Sequence, residues 1–138
     1  MRDRLNANDF AFHLDSHTGV PVYRQLMDQV QGAIATGKLR VGDQLPTIRQ
    51  VAVDLSINPN TVTRSYRELE IRGLLETQQG TGTFIAEQET RTDSRLRDRQ
   101  LKQFAHEVIA RAGASGFTIA EVIRSLEAMH AESSPRRK

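Results

Sequence analysis

Two short helices separated by one tight turn leave a chain few folds to choose from, and residues 47–73 spell out such a pair. Thr47 with Gln50 three residues on has the form of a capping box. Ile48, Val51, Ala52 and Leu55 then recur at i, i+3, i+4 and i+7, the spacing of one helical face. The stripe stops at Ser56-Ile57. Asn58-Pro59 opens a second helix: a side chain able to cap, then proline at the first helical position, where its missing N–H removes no bond. Val62, Tyr66 and Leu69 form the apolar face of this helix, and Gly73 is a natural stop. The layout is that of a helix-turn-helix, whose second helix enters a major groove with its N-terminal residues leading.

At 100° per residue, the side opposite Val62, Tyr66 and Leu69 carries Asn60, Arg64 and Arg67, with Thr61 at its margin. Asn pairs in bidentate fashion with adenine, Arg with guanine, and Thr bonds a base or touches a thymine methyl. An ordinary solvated helix face would show the same polarity, so the helix alone does not decide. The segment behind it does. Leu74-Leu75-Glu76-Thr77 and Thr83-Phe84-Ile85-Ala86 are strand-like runs around Gln78-Gln79-Gly80-Thr81-Gly82, and two glycines in so short a tip allow positive φ and close approach to a partner. A phosphate-cradling loop would need a following Lys-Ser or Lys-Thr and a helix, and neither is there. The hairpin reads as a wing.

Residues from about Val20 to Ala86 resemble the DNA-binding domain of GntR-family bacterial transcription regulators. The resemblance rests on Pro21-Val-Tyr-Arg-Gln-Leu26, Gly42-Asp-Gln-Leu-Pro46, Asn58-Pro-Asn-Thr-Val62, Arg72-Gly-Leu-Leu75 and Gly80-Thr-Gly-Thr-Phe84, in that order. The Asn-Pro-Asn-Thr-Val wording and the short tail look most like the YtrA-type branch. The resemblance implies DNA contacts from the start of the first helix of the pair (Thr47, Arg49), the start of the second (Asn58, Asn60, Thr61, Arg64) and the wing tip (Gly80, Thr81, Gly82). Tyr23 matches a family position that can reach the DNA backbone, although a half-buried core tyrosine fits equally well. Many relatives carry Arg where this chain has Pro59 and Thr63, and a basic residue near Gln78-Gln79, so their base-reading arginines do not carry over.

Charge contributes little to this reading. The 19 Lys+Arg against 17 Asp+Glu give +2, and residues 1–86 balance at nine of each sign. Placement has to supply what the total does not, through Arg49, Arg64 and Arg67. If about three phosphates per subunit are neutralised, a dimer should show a log K against log [salt] slope of roughly −5. There is no cysteine for a disulfide or a thiolate metal site, and no apolar run long enough for a membrane span, so a cytoplasmic protein is expected. His13 and His17 lie close together but span a strand end and a turn, without a further ligand at metal-binding spacing.

The expected architecture is mainly α with a small β wing. Residues 1–86 form the winged domain, with frayed residues 1–8 and a short strand over 9–15 from the alternation of Phe10, Phe12 and Leu14. A long amphipathic helix runs from Pro21 to Gly37 on a Val22, Leu26, Val30, Ala33, Ile34 stripe. Residues 87–130 form a helical unit. Glu87–Gln100 is charge-rich, a linker or a solvated helix start. Leu101, Phe104, Ala105, Val108 and Ala112 then make one stripe, broken at Gly113–Gly116. Thr118 and Glu121 form a capping box ahead of Ile119, Val122, Ile123, Leu126 and Met129. Residues 131–138 read as a disordered tail.

Two short helices cannot bury two apolar stripes alone. They therefore predict a homodimer through Leu101, Phe104, Val108, Ile119, Val122, Ile123 and Leu126, suited to a two-fold operator in double-stranded DNA. A hairpin folded back on its own winged domain is the rival. The resemblance adds a repressor that occupies a promoter, and a small effector that could release it through the dimer geometry. Any effector site must be small, near Phe104 or Phe117, where ordinary packing explains a cavity as well. No cofactor is expected; the chain lacks the aminotransferase-like extension that would hold pyridoxal phosphate. An enzyme would need converging acid, base or nucleophile, and the four histidines lie in unrelated segments. A winged helix used only to bind protein would more usually expose an apolar anchor than Arg49, Asn60 and Arg64.

Overall fold

A computed structural model describes residues 10–88 and 94–133. The chain divides after Gln88 into two compact units.

In the first unit α1 (Val22–Ala35), α2 (Ile48–Leu55) and α3 (Pro59–Ile71) are followed by the antiparallel hairpin β1 (Leu75–Gln78) and β2 (Gly82–Ile85). α3 is the central helix, with α1, α2 and β1 all packed on it. Its Val62, Ser65, Tyr66 and Leu69 are buried among Leu26, Val30 and Met27 of α1 and Val51 and Ala52 of α2. Val30, Val62 and Leu69 have no exposed surface, and truncating a leucine so placed costs about 2–5 kcal/mol. Tyr66 adds a polar tie. Its hydroxyl donates to the Pro46 carbonyl oxygen at 2.6 Å, which holds the approach to α2 against α3.

Local chemistry sets the helix ends. The Thr47 hydroxyl accepts from the Gln50 N–H at 3.0 Å. The Gln50 side chain does not return the bond and instead donates to Asp54, so only half of the expected box forms. The Asn58 side chain accepts from the Asn60 N–H at 2.8 Å, with Pro59 in the first turn. Between them Ser56 takes the left-handed conformation at φ 56°, a conformation that glycine adopts far more readily. The Ile57 and Ser56 N–H groups bond back to Ala52 and Val53, which closes α2 within two residues.

The wing is wider than its two strands. β2 also bonds on its other side to the chain entering α2: Ile85 N–H donates to Asp43, and Leu45 N–H to Thr83, both at 2.9 Å. The hairpin is thereby anchored to the segment that positions α2.

The strand expected over 9–15 is absent; Asp9 lies outside the described residues, and 10–15 join no ladder. Phe10 and Phe12 are buried and meet edge to face at 4.9 Å, while Ala11 and His13 point outward, so the alternation itself was a true burial signal. The partner is different. Gln29 on α1 both donates to the His13 carbonyl (2.7 Å) and accepts from its N–H (3.1 Å), and Gln25 treats Asp15 the same way. Side-chain amides thus satisfy backbone groups that a neighbouring strand would otherwise pair.

The second unit is a helical hairpin of α4 (Ser94–Ala114) and α5 (Ile119–Ser133). α4 takes up the charge-rich residues 94–100 as a solvated helix start and passes through Gly113. The stop is Gly116 at φ 87°, where the Phe117 N–H bonds back to Ala112. Thr118 and Glu121 form a complete capping box, Glu121 N–H to the Thr118 hydroxyl and Thr118 N–H to the Glu121 carboxylate. Residues 131–133, expected to belong to a tail, are part of α5, which runs through Ser133; the rest of that expectation, residues 134–138, lies outside the described residues, as do 1–9 and 89–93. No described helix is long and apolar enough to cross a membrane.

Candidate nucleic-acid interface

The outward side of α3 is set by what its inward side buries. Asn60, Arg64 and Arg67 are exposed, and Thr61 is half-buried at their margin. Asn58 is exposed as well, and its side-chain oxygen caps α3. Thr47 and Arg49 lie exposed at the start of α2.

The wing tip turns on Gly80 at φ 78°, with Thr81 N–H bonded to the Gln78 carbonyl at 2.9 Å. A positive φ at the third turn position requires glycine or a close substitute. Gly82, at φ 143°, is crowded by the side chain of Gln44, which donates to the Thr81 carbonyl at 3.2 Å. Residues 77–83 and the start of α2, Thr47 and Ile48, line one shallow groove. The structure therefore brings the wing tip and the α2 start together. Gln44, which braces that groove, was not singled out in the sequence; nothing local marks a glutamine as a brace.

Among the described residues, Arg49, Arg64 and Arg67 have no carboxylate within 4.0 Å; the exposed Arg24–Asp28 pair, 3.9 Å apart, lies on α1. Arg64 does have an aromatic neighbour. Its guanidinium carbon lies 3.6 Å from the centroid of the Tyr23 ring, near the start of α1. Tyr23 is half-buried against the core, and its carbonyl accepts from the buried hydroxyl of Ser65 at 3.0 Å. Three exposed cations on α2 and α3 with no acidic partner among the described residues suit a polyanion.

In the helical unit, Val108 and Val122 are half-buried. Phe104, Ile119, Ile123 and Leu126 are 44–61% exposed around an open apolar cleft, and Leu101, 64% exposed, lies outside its lining. Ala112 is the one buried hydrophobic residue of the two helices among those described.

A three-helix core, a glycine-tipped wing bonded to its helix-turn-helix, and a polar face on the second helix of that pair define a winged helix-turn-helix DNA-binding domain. The chain belongs to the GntR family of bacterial transcription regulators: the family model described as "Bacterial regulatory proteins, gntR family" matches residues 22–85. It is 34% identical over 107 residues to the uncharacterised HTH-type transcriptional regulator YhcF of Bacillus subtilis (strain 168), covering 78% of this chain and 88% of that one. It is 39% identical over 74 residues to the HTH-type transcriptional repressor YtrA of the same organism, covering 54% and 57%. The crystal structure of a transcriptional antiterminator from Listeria monocytogenes EGD-e is similar at a TM-score of 0.68 and 26% identity, over 94% of this chain and 96% of that one. The expected winged domain and YtrA-type kinship stand, and the chain is a regulator rather than an enzyme.

Proposed function

We propose that this regulator is a dimeric repressor that occupies a two-fold symmetric operator in the cytoplasm and is released by a small effector. The observation that carries the DNA-reading role is the face of α3. Asn60, Arg64 and Arg67 stand exposed on a helix whose other side is fully packed, with no carboxylate within reach of either arginine among the described residues. Asn60 sits in the first turn of α3, where a recognition helix meets base edges, and Thr61 accompanies it. Arg49 and Thr47 at the start of α2, and Gly80, Thr81 and Gly82 in the wing, supply flanking backbone contacts. Repression takes its support from the named role of the YtrA relative.

The dimer takes its support from the helical unit, where Leu101, Phe104, Ile123 and Leu126 remain about half exposed or more. Apolar surface of that kind, contiguous along two helices, marks an association face. Residues 87–130 would then pair two copies and set the distance between two recognition helices. The effector would act on this unit near Phe104 or Phe117, where a change in helix spacing moves the paired readers.

The test is a gel shift on the DNA upstream of the protein's own gene, with random DNA as competitor, for wild type and Asn60→Ala. Specific retardation that Asn60→Ala makes indiscriminate supports the reading. Retardation that competitor DNA removes equally for both proteins argues for a winged domain that does not read sequence.

A further inference from the structure

We propose that Arg64 grips the sugar–phosphate backbone rather than a base edge, and that Tyr23 is the positioning residue that holds it there. The inference rests on the DNA-binding reading and assigns one residue of that surface a different job from its neighbours. Asn60, Arg64 and Arg67 share a helical side by spacing, yet among the described residues only Arg64 has an aromatic partner. Its guanidinium carbon lies 3.6 Å from the centre of the Tyr23 ring. That contact ties the head of the side chain to α1, whereas base edges are met by the leading residues of a recognition helix. Arg64 is the sixth residue of α3, more than one turn past Pro59. A cation held at that flank meets the rim of the groove, where the phosphates run.

The support is itself anchored. Tyr23 packs against the core, and its carbonyl accepts from the Ser65 hydroxyl, which is wholly buried on the same helix as Arg64. Ser65 also bonds the Thr61 carbonyl one turn earlier, at 3.1 Å. Ring and guanidinium therefore move with α3 as one piece. Stacking occupies a face of the guanidinium and leaves its N–H edge for an anion. Among the described residues, no carboxylate or hydrogen-bond acceptor of the protein takes that edge.

The experiment uses the full chain and an operator recovered by selection from a random DNA pool. Affinities are measured across salt concentrations for wild type, Arg64→Ala, Tyr23→Phe, Tyr23→Leu and the Tyr23→Leu/Arg64→Ala pair. The DNAs are the operator, its single-base-pair variants and random duplex. Circular dichroism confirms the fold of each variant, leucine keeping an apolar side chain against the core. Arg64→Ala should weaken operator and random DNA by the same factor, about tenfold. It should also lower the salt slope by about one per subunit while leaving the ranking of base-pair variants as it is. Tyr23→Phe, which keeps the ring, should bind as wild type. Tyr23→Leu should weaken binding, and the double variant should be no worse than Arg64→Ala alone, because the ring acts only through the arginine. Relaxed discrimination at one base pair in Arg64→Ala would make it a base reader and overturn the proposal. So would a harmless Tyr23→Leu, a Tyr23→Phe as damaging as Tyr23→Leu, or additive losses in the double variant. A wild-type protein that retains no DNA removes the DNA-binding reading itself, an outcome distinct from all of these.

Discussion

The hydroxyl of Tyr66, buried within α3, donates to the carbonyl oxygen of Pro46 at 2.6 Å, twenty residues away and one position before the residue that caps α2. This bond spans the two helices of the helix-turn-helix from the side opposite their connecting turn. Burial also pushes the phenol well above its ordinary ionisation range.

Tyr66→Phe should therefore destabilise the protein by about 1–2 kcal/mol, the cost of leaving a buried carbonyl without its donor. The pH dependence has a definite sign. In the unfolded chain the phenol ionises near pH 10; in the folded chain it holds its proton well beyond that. The stabilisation is thus complete below about pH 10 and is lost as pH rises above it. Urea unfolding of wild type and Tyr66→Phe should show curves that converge above that point; a gap that stays constant with pH would remove Tyr66 as the source.

Ser56→Gly should stabilise the fold. A non-glycine residue at φ 56° carries roughly 1 kcal/mol of steric cost, which glycine removes, and its added freedom in the unfolded chain returns part of that. A gain of about 0.5 kcal/mol, seen as a higher urea midpoint at the same slope, is expected. Ser56→Val should move the midpoint the other way, since a β-branched residue suits the left-handed region worst.

Gly82→Ala should loosen the wing. The new methyl group meets the Gln44 side chain and also sits at φ 143°, which L-residues rarely adopt. The two causes separate in the pair Gln44→Ala/Gly82→Ala, which relieves the contact but not the backbone. Partial recovery of thermal stability in the double variant is the expected result; full recovery would mean that the backbone bears no strain there.

In the proposed dimer, Phe104→Glu with Leu126→Glu should yield a monomer with its helices intact. Both side chains are more than half exposed within the unit, at 61% and 57%, so charge there disturbs an association face more than the hairpin's own packing. Sedimentation should show the change in mass at equal helical content, and operator affinity should fall by at least about tenfold once the second half-site is no longer tethered. A wild-type protein that sediments as a monomer at micromolar concentration would end the dimer reading.

The salt dependence of wild-type operator binding should give a log–log slope of roughly −5 if each subunit neutralises about three phosphates. A slope near zero would point to a protein partner in place of DNA.

What the sequence made legible was whatever local chemistry controls. Thr47, Asn58-Pro59, Gly73 and the Thr118–Glu121 box mark helix ends because caps act within four residues, and the apolar stripes of α1, α2 and α3 needed only their own periodicity. The misreadings have physical sources too. Alternation at Phe10 and Phe12 reports burial and not the identity of the bonding partner, so glutamines on α1 were invisible as stand-ins for a strand. The charge-rich run was readable as a linker or a solvated helix start; residues 94–100 extend α4 as the latter, a choice that periodicity cannot make without an apolar stripe. Gly113 lies inside the helix while Gly116 ends it, because only the latter adopts positive φ. The stacking of Arg64 on Tyr23 joins residues 41 positions apart and leaves no mark on either neighbourhood.

The glutamine clasp on the segment around His13 and Asp15 has a genetic consequence. In a sheet, the main-chain bonds between strands survive almost any side-chain substitution, so selection cannot switch them off one at a time. Here both bonds to His13 depend on one codon, that of Gln29, and those to Asp15 on that of Gln25. The attachment of this segment can be graded by point mutation, whereas its outward residues Ala11 and His13 are free to drift, because the clasp grips peptide groups whatever side chains they carry.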